Sequence, residues 1–143
     1  MNQIPDGWYR ISVKALVLNE TRDKFLVVLE ESGRWDFPGG GIHPGEGPQA
    51  CLRREIENEE MRVPVTWIAE NPCYFLMGQF QSEKRCGQWY ANVFYEVKLG
   101  HLCYTPSDEC QGVRFVNSEE AVKLNAFDSV HKLAELFNIE NHR

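Results

Sequence analysis

Gly40-Gly41-Ile42-His43-Pro44-Gly45-Glu46-Gly47-Pro48-Gln49-Ala50-Cys51-Leu52-Arg53-Arg54-Glu55-Ile56-Glu57-Asn58-Glu59 is the stretch on which the reading of this chain turns. A glycine-rich turn feeds a segment of helical periodicity. Pro48 suits a first helical turn, where its missing N–H costs nothing, and Leu52 and Ile56 form an apolar stripe. Glu55 and Glu59 are four apart, so on a helix they project from one face, one turn above the other. Like charges at that spacing destabilise a helix. A hard cation between the carboxylates removes the conflict. Asn58 flanks the same face and offers a neutral carbonyl to such a cation. Glu57 and Glu60 fall a hundred degrees or more around the helix and are expected to face solvent. The helix is expected to stop by Arg62, because Pro64 biases Val63 away from helical angles.

Working outward, residues 10–18 (Arg-Ile-Ser-Val-Lys-Ala-Leu-Val-Leu) read as a strand, and residues 25–31 as a second. The polar turn between them predicts a hairpin. Beyond the helix, residues 63–70, 73–80, 89–99 and 113–116 read as further strands, with 81–87 as a polar turn and 100–112 as a loop. Asn117-Ser118-Glu119-Glu120 has the form of a capping box and predicts a short helix. Phe127, Val130, Ala134 and Phe137 recur at helical spacing and predict a last one. Strands on both sides of one helix, with helices at the end, predict an α/β fold in which a mixed sheet is sandwiched between helices. No repeat or linker divides the chain, so residues 1–143 are expected to form one domain.

The 143 residues are enough for one good core. Hydrophobic residues make up 43% and charged ones 25%, as in ordinary globular chains. No run approaches the ~20 apolar residues of a membrane span. The start, Met-Asn-Gln-Ile-Pro, lacks a basic end and apolar core, so no secretory leader is expected. The cysteines Cys51, Cys73, Cys86, Cys103 and Cys110 are odd in number, with no Cys-x-x-Cys pair. That argues for reduced thiols in a cytoplasm. Cys51 lies one turn before Glu55, where a small buried filler is the plain reading. The net charge of -6 speaks against a nucleic-acid binder. It leaves room for a small anionic substrate whose charge a divalent cation bridges. The sequence is compatible with a homodimer and does not specify one.

The same stretch resembles the signature of the Nudix hydrolases, Gly-x5-Glu-x7-Arg-Glu-U-x-Glu-Glu-x-Gly-U, where U is a bulky aliphatic. Gly40, Glu46, Arg54, Glu55, Ile56 and Glu59 fall on it without a gap, and Trp35-Asp36-Phe37-Pro38-Gly39-Gly40 looks like the usual lead-in. Asn58 stands where the first paired glutamate belongs, Met61 where the glycine belongs and Arg62 where the aliphatic belongs. The match is to a slightly degenerate box in a single-domain, MutT-like member. Moving the frame so that Glu59-Glu60 form the pair would put Arg54-Glu55 out of step.

What the resemblance implies is a hydrolase of nucleoside diphosphate-linked compounds, a nucleoside triphosphate or a nucleotide sugar, dependent on magnesium with manganese as an alternative. It assigns Glu59 as the main metal ligand, Glu55 as a ligand or the residue orienting water, and the Gly39 carbonyl as a further ligand. Asn58 is the neutral neighbour of that set. Glu46 and Arg54 look like the bracing pair, and Glu109 like a late glutamate reaching the metal from the other side. Arg10, Arg34 and Lys84 are candidates for phosphates. Trp35, Phe75, Phe80, Trp89 and Tyr90 are candidates for a base. His43 reads as a loop residue at the pocket mouth. A competing reading is a Nudix-fold module that binds a nucleotide or protein without turnover. RNA processing would want a basic groove that the charge balance does not offer.

Overall fold

A computed structural model describes residues 6–80, 85 and 87–142. The strands are β1 (Tyr9–Leu16), β2 (Phe25–Leu29), β3 (Trp35–Asp36), β4 (Gly39–Gly41), β5 (Val65–Ile68), β6 (Tyr74–Gln79), β7 (Trp89–Leu99) and β8 (Gly112–Val116). Helix α1 (Pro48–Arg54) runs directly into a π-helical turn (Glu55–Glu60). Two helices, α2 (Ser118–Ala121) and α3 (Asp128–Leu136), precede a terminal 3-10 turn (Ile139–His142). Lys84, Cys86 and most of the polar turn at 81–87 lie outside the described residues, as does the start of the chain.

β1 organises the larger sheet. It runs parallel to β7 from Tyr9 opposite Trp89 to Leu16 opposite Glu96, and antiparallel to β4, with Lys14 opposite Gly39. β5 and β6 pair antiparallel with β7 on its other edge. A second, antiparallel sheet has the order β3-β2-β8. The hairpin expected of the first two strands is not formed. A single bridge, Leu18 to Phe25, joins that corner, and β2 pairs with β3 and β8 instead. The reason is burial on both faces: Val13, Ala15 and Leu16 are all fully buried, so β1 needs a long, equally apolar neighbour, which β7 supplies.

Strand alternation divides the core in two. Val13, Ala15, Leu26, Val28, Tyr95 and Val97 point towards the first helix, where Cys51, Leu52, Ile56 and Met61 meet them. Leu16, Phe25, Val27, Phe37 and Phe94 point the other way, onto Val130, Leu133 and Ala134 of α3 and Ala121 of α2. The mixed α/β architecture with helices on both sides is therefore the one read from the sequence. The capping box forms as expected: Asn117 Oδ1 accepts the Glu120 N–H at 2.9 Å, and Glu120 Oε1 accepts the Asn117 N–H at 3.2 Å.

The π turn changes the reading of the helix. The Met61 N–H donates to the Ile56 carbonyl at 3.3 Å, five residues back, which is the π pattern rather than the α one. Residues five apart thereby come onto one face. Ile56 and Met61 are both fully buried, and Glu55 and Glu60 are 8% and 4% exposed. Glu60 is thus buried, not solvent-facing, because the wider turn carries it round to the face of Glu55. Glu57 is also engaged: its carboxylate accepts the Val65 N–H at 2.9 Å and pairs with Arg53 at 3.3 Å, fixing the start of β5.

Arg62 closes the helix with φ 57°, and its N–H donates to the Ile56 carbonyl at 2.8 Å. This is the left-handed conformation that glycine adopts without penalty at a helix end. Arg62→Gly should therefore raise the unfolding free energy by about 1 kcal/mol. In urea titrations this would read as a higher midpoint at unchanged slope.

Candidate active site

Three segments meet at one wall of a cavity of about 640 Å³. The β4 strand brings Gly39 and Gly40, the end of the first helix brings Glu55 and Glu60, and the loop before β8 brings Glu109. Glycine is required at β4 by close approach. At Gly39, where φ is 124°, a Cβ would stand 2.2 Å from the Val13 carbonyl oxygen. At Gly40 it would stand 2.5 to 2.7 Å from the Glu55 carboxylate, so that carboxylate rests directly on the backbone. The Gly39 N–H donates to Glu60 Oε1 at 3.2 Å.

Glu109 is held by backbone rather than by chance. Ser107 and Cys110 exchange N–H···O bonds of 3.0 and 3.2 Å, which puts Glu109 in a closed turn. Ser107 Oγ donates to the Glu60 carbonyl at 2.8 Å, and the Thr105 N–H to the Met61 carbonyl at 2.9 Å. The loop thus satisfies carbonyls left open at the helix end. On its other side the Asp108 carbonyl accepts the Glu31 N–H at 2.9 Å, and the Gln111 N–H donates to the Leu29 carbonyl at 2.7 Å.

Arg54 ties the acidic side chains together. Its Nε and Nη2 grip Glu46 at 2.7 and 2.9 Å, and Nη1 donates to Glu55 at 3.0 Å and Glu59 at 2.7 Å. Nη2 also donates to the Gly41 carbonyl at 3.0 Å. All five N–H groups of the guanidinium are used, which an ammonium cannot reproduce. The Arg54 hydrogen bonds hold the Glu46 carboxyl at a pKa of about 2.

Burial dominates the electrostatics on the cavity wall. It pushes the Glu55 carboxyl above its usual range; Arg54 pulls back, while Glu59 and Glu109 add to the rise. Burial likewise pushes Glu60 well above that range, against the pull of Lys14 and the Gly39 N–H, with Asp36 and Glu109 again adding to it. Lys14, 8% exposed on β1, bonds Asp36 at 3.1 Å. Its burial lowers its pKa, but the charges of Asp36 and Glu60 outweigh that, and the net shift is upward.

The cavity gathers some of the residues singled out from sequence and leaves others out. Glu55, Glu109, Gly39, Arg10 and Arg34 line it. The Arg10 guanidinium packs over Gly41, where a Cβ would come within 3.2 Å of it, and Arg34 stacks on the Phe127 ring at 3.9 Å. Asn58 does not line the cavity: it is the exposed residue on the outer side of the π turn. Glu59 is also exposed, its carboxylate turned onto Arg54. Trp35 does not line it either, being packed against the Phe25–Leu133 side of the core. Trp89 stacks on Tyr9 at 6.3 Å instead. The aromatic lining comes from Phe80, Tyr90 and Phe127, while Phe75 lies exposed elsewhere and His43 is exposed. Cys51 is fully buried with a thiol pushed up to about 11 by burial, as a filler would be.

Residues that the sequence reading missed are Glu60, Lys14, Asp36 and Asp128, all on the cavity. Lys14 had a signal, a charge among the apolar residues Val13, Ala15 and Leu16. Asp36 had a weaker one, between two aromatic residues. Asp128 accepts the Tyr90 hydroxyl at 2.5 Å and pairs with Lys132 at 3.2 Å. Among the described residues, no three Asp, Glu, His or Cys side chains converge closely enough to grip a metal ion as they stand. The donor set on the wall is nonetheless all hard oxygen, the type that magnesium and manganese take.

A profile of the NUDIX domain matches residues 8–137. The chain belongs to the Nudix family. Family members typically depend on a divalent metal ion. Among curated relatives, this Nudix chain is 33% identical over 73 residues to Nudix hydrolase 25 of Arabidopsis thaliana, covering 50% of this chain and 41% of that protein. It is 36% identical over 69 residues to an RNA pyrophosphohydrolase of Nitratiruptor sp., covering 45% of this chain and 44% of that one. It is 41% identical over 44 residues to a putative 8-oxo-dGTP diphosphatase of Bacillus subtilis, covering 31% and 30%. The match thus spans less than half the length of each of these relatives. In fold, it superposes on the MutT protein of Methanosarcina mazei Go1 with a TM-score of 0.68 at 24% identity, covering 98% of this chain and 100% of that one. A UDP-X diphosphatase gives a TM-score of 0.69 at 18% identity, covering 98% and 67%. No helix among the described residues is long and apolar enough to cross a membrane.

Proposed function

We propose that this Nudix chain is a magnesium- or manganese-dependent hydrolase that cleaves the phosphoric anhydride of a nucleoside triphosphate or a nucleotide sugar. The observation that carries this reading is the meeting of Glu55, Glu60 and Glu109, from two segments far apart in the chain, beside the Gly39 backbone on one cavity wall. A divalent metal held by these carboxylates and the Gly39 carbonyl would neutralise diphosphate charge and make a bound water a better nucleophile.

The chain's own residues prepare that site. Arg54 fixes Glu55 and, through Glu46 and the Gly41 carbonyl, anchors the helix to the glycine turn. Fixing the carboxylates beforehand spares reorganisation during the reaction, the largest source of electrostatic catalysis. Arg10 and Arg34, on the rest of the lining, are placed to meet substrate phosphates, and Phe127 and Phe80 offer apolar faces to a base. Glu59, turned onto Arg54, acts as a positioning residue in this arrangement. The cavity suits a small nucleotide, and the net charge of -6 disfavours an extended RNA strand.

The π turn supports the assignment of Glu60. With Asn58 read as one inserted residue, the family pattern is met without breaking Arg54-Glu55. Glu59-Glu60 become the glutamate pair, and Val63, 1% exposed, becomes the aliphatic. Arg62 then stands in the glycine's place and adopts the left-handed conformation a glycine would take. The test is a panel of nucleoside triphosphates and nucleotide sugars incubated with magnesium or manganese, read as phosphate or nucleotide release. Metal-dependent release from some of the panel is expected. Measurable nucleotide binding with no turnover anywhere on it would instead favour a binding module.

A further inference from the structure

The carboxylates of Asp36, Glu55, Glu60 and Glu109 line the cavity together with the buried ammonium of Lys14. Lys14 sits opposite Gly39 in the β1–β4 register, and Gly39 in turn donates its N–H to Glu60. The ammonium is 3.1 Å from Asp36 and close enough to act on the charge of Glu60. Arg10, also on the cavity, repels it. A buried lysine carries a desolvation cost that is offset only by pairing. Here one of the partners, Glu60, is a group on which a divalent cation would draw. In the metal-free protein Lys14 supplies positive charge where the carboxylates need it. Once a metal enters, the same charge repels it.

We propose that Lys14 is a resident counter-ion: it keeps the metal-free site folded, and it makes metal binding depend on the phosphates that arrive with the metal. This rests on the functional reading above. Removing the charge has two opposite consequences. Glu60 is left buried, and Asp36 half-buried, with their attraction unmet, so the metal-free protein weakens. The metal is no longer repelled, so it binds without nucleotide. A residue that merely packs the strand would give the first effect and not the second.

The experiment is Mn²⁺ titration without nucleotide, followed by thermal unfolding and by the loss of free Mn²⁺, on the wild type, Lys14→Met and Lys14→Arg. Methionine keeps the length of the stem without its charge. Lys14→Met is expected to melt roughly 8 °C or more below the wild type without metal. It is expected to bind Mn²⁺ about tenfold tighter or more. Lys14→Arg should stay near the wild type on both. If Lys14→Met folds only when Mn²⁺ is present, the prediction is met in its extreme form. Mn²⁺ binding no tighter than in the wild type, an unchanged metal-free melting temperature, or failure to fold even with excess Mn²⁺ would each overturn the proposal while leaving the hydrolase reading intact. A wild type that binds no Mn²⁺, with or without a non-hydrolysable nucleotide, would remove the functional reading and this proposal together.

Discussion

Glu60→Gln is expected to lower kcat/KM by about 10²-fold or more while leaving the fold in place. The magnitude is the one found when a fixed electrostatic contact to the reacting groups is removed. Glutamine keeps the shape of the side chain and can still accept the Gly39 N–H that now bonds Glu60 at 3.2 Å. What it loses is the charge. Folding should not suffer much, because the substitution also ends the burial of a carboxylate only 4% exposed. Asn58→Ala is the paired control. Asn58 lies outside the cavity on the exposed side of the turn, so its loss should change kcat/KM by no more than about threefold, as for surface positions that touch nothing. The measurement is steady-state hydrolysis of the best substrate of the panel, with thermal unfolding followed by circular dichroism on each variant.

Gly39→Ala and Gly40→Ala are expected to fail in different ways, although the positions are adjacent. At Gly39 the added methyl would press on the backbone oxygen of Val13 at 2.2 Å, in a conformation with φ 124°. Neither the strand nor the backbone angle can yield cheaply. The substitution should cost on the order of 3 kcal/mol or more, combining backbone strain with overpacking. At Gly40 the methyl meets the Glu55 carboxylate, the far end of a side chain, at 2.5 to 2.7 Å. Glu55 can swing away, so the fold survives and the site does not. Gly40→Ala should therefore unfold near the wild-type midpoint with kcat/KM reduced by about 10². Denaturant titration and activity on the same two preparations separate the outcomes. Equal loss of stability at both positions would contradict the geometry.

Most of the fold was readable because it is written in local patterns. The run between the polar turn at 81–87 and the loop at 100–112 marked β7 over its full span, Trp89–Leu99, and the offset of Asn117 and Glu120 marked the cap of α2. The pairing of β1 was not readable. The polar turn after it suggested a hairpin, whereas its partner β7 lies some eighty residues on, and no local signal encodes that register. In the site, Glu55 stood out from its helical offset, whereas Gly39 and Glu109 came only from the resemblance to the Nudix box.

Glu60 was hidden by an assumption of uniform α winding. At 3.6 residues per turn it points to solvent; with one π turn it points inward. The departures at Met61 and Arg62 were the available hint, because shifting the frame by one residue moves Met61 to an unconstrained position, Arg62 to the glycine's place and Val63 onto the aliphatic position. Trp35 and Trp89 lie outside the cavity lining, packed against their neighbours as aromatic residues in strands ordinarily are.

The central claim is that Asn58 is an inserted residue whose accommodation as a π turn sets the face of Glu60. Deleting Asn58 tests it most directly. The account predicts that the shortened chain winds as α-helix through this segment, with Glu55 and the former Glu60 four apart on one face. It should then fold, with kcat/KM within about tenfold of the wild type. If the deletion abolished turnover to the extent predicted for Glu60→Gln while the chain remained folded, Asn58 would be part of the site and the account would be wrong.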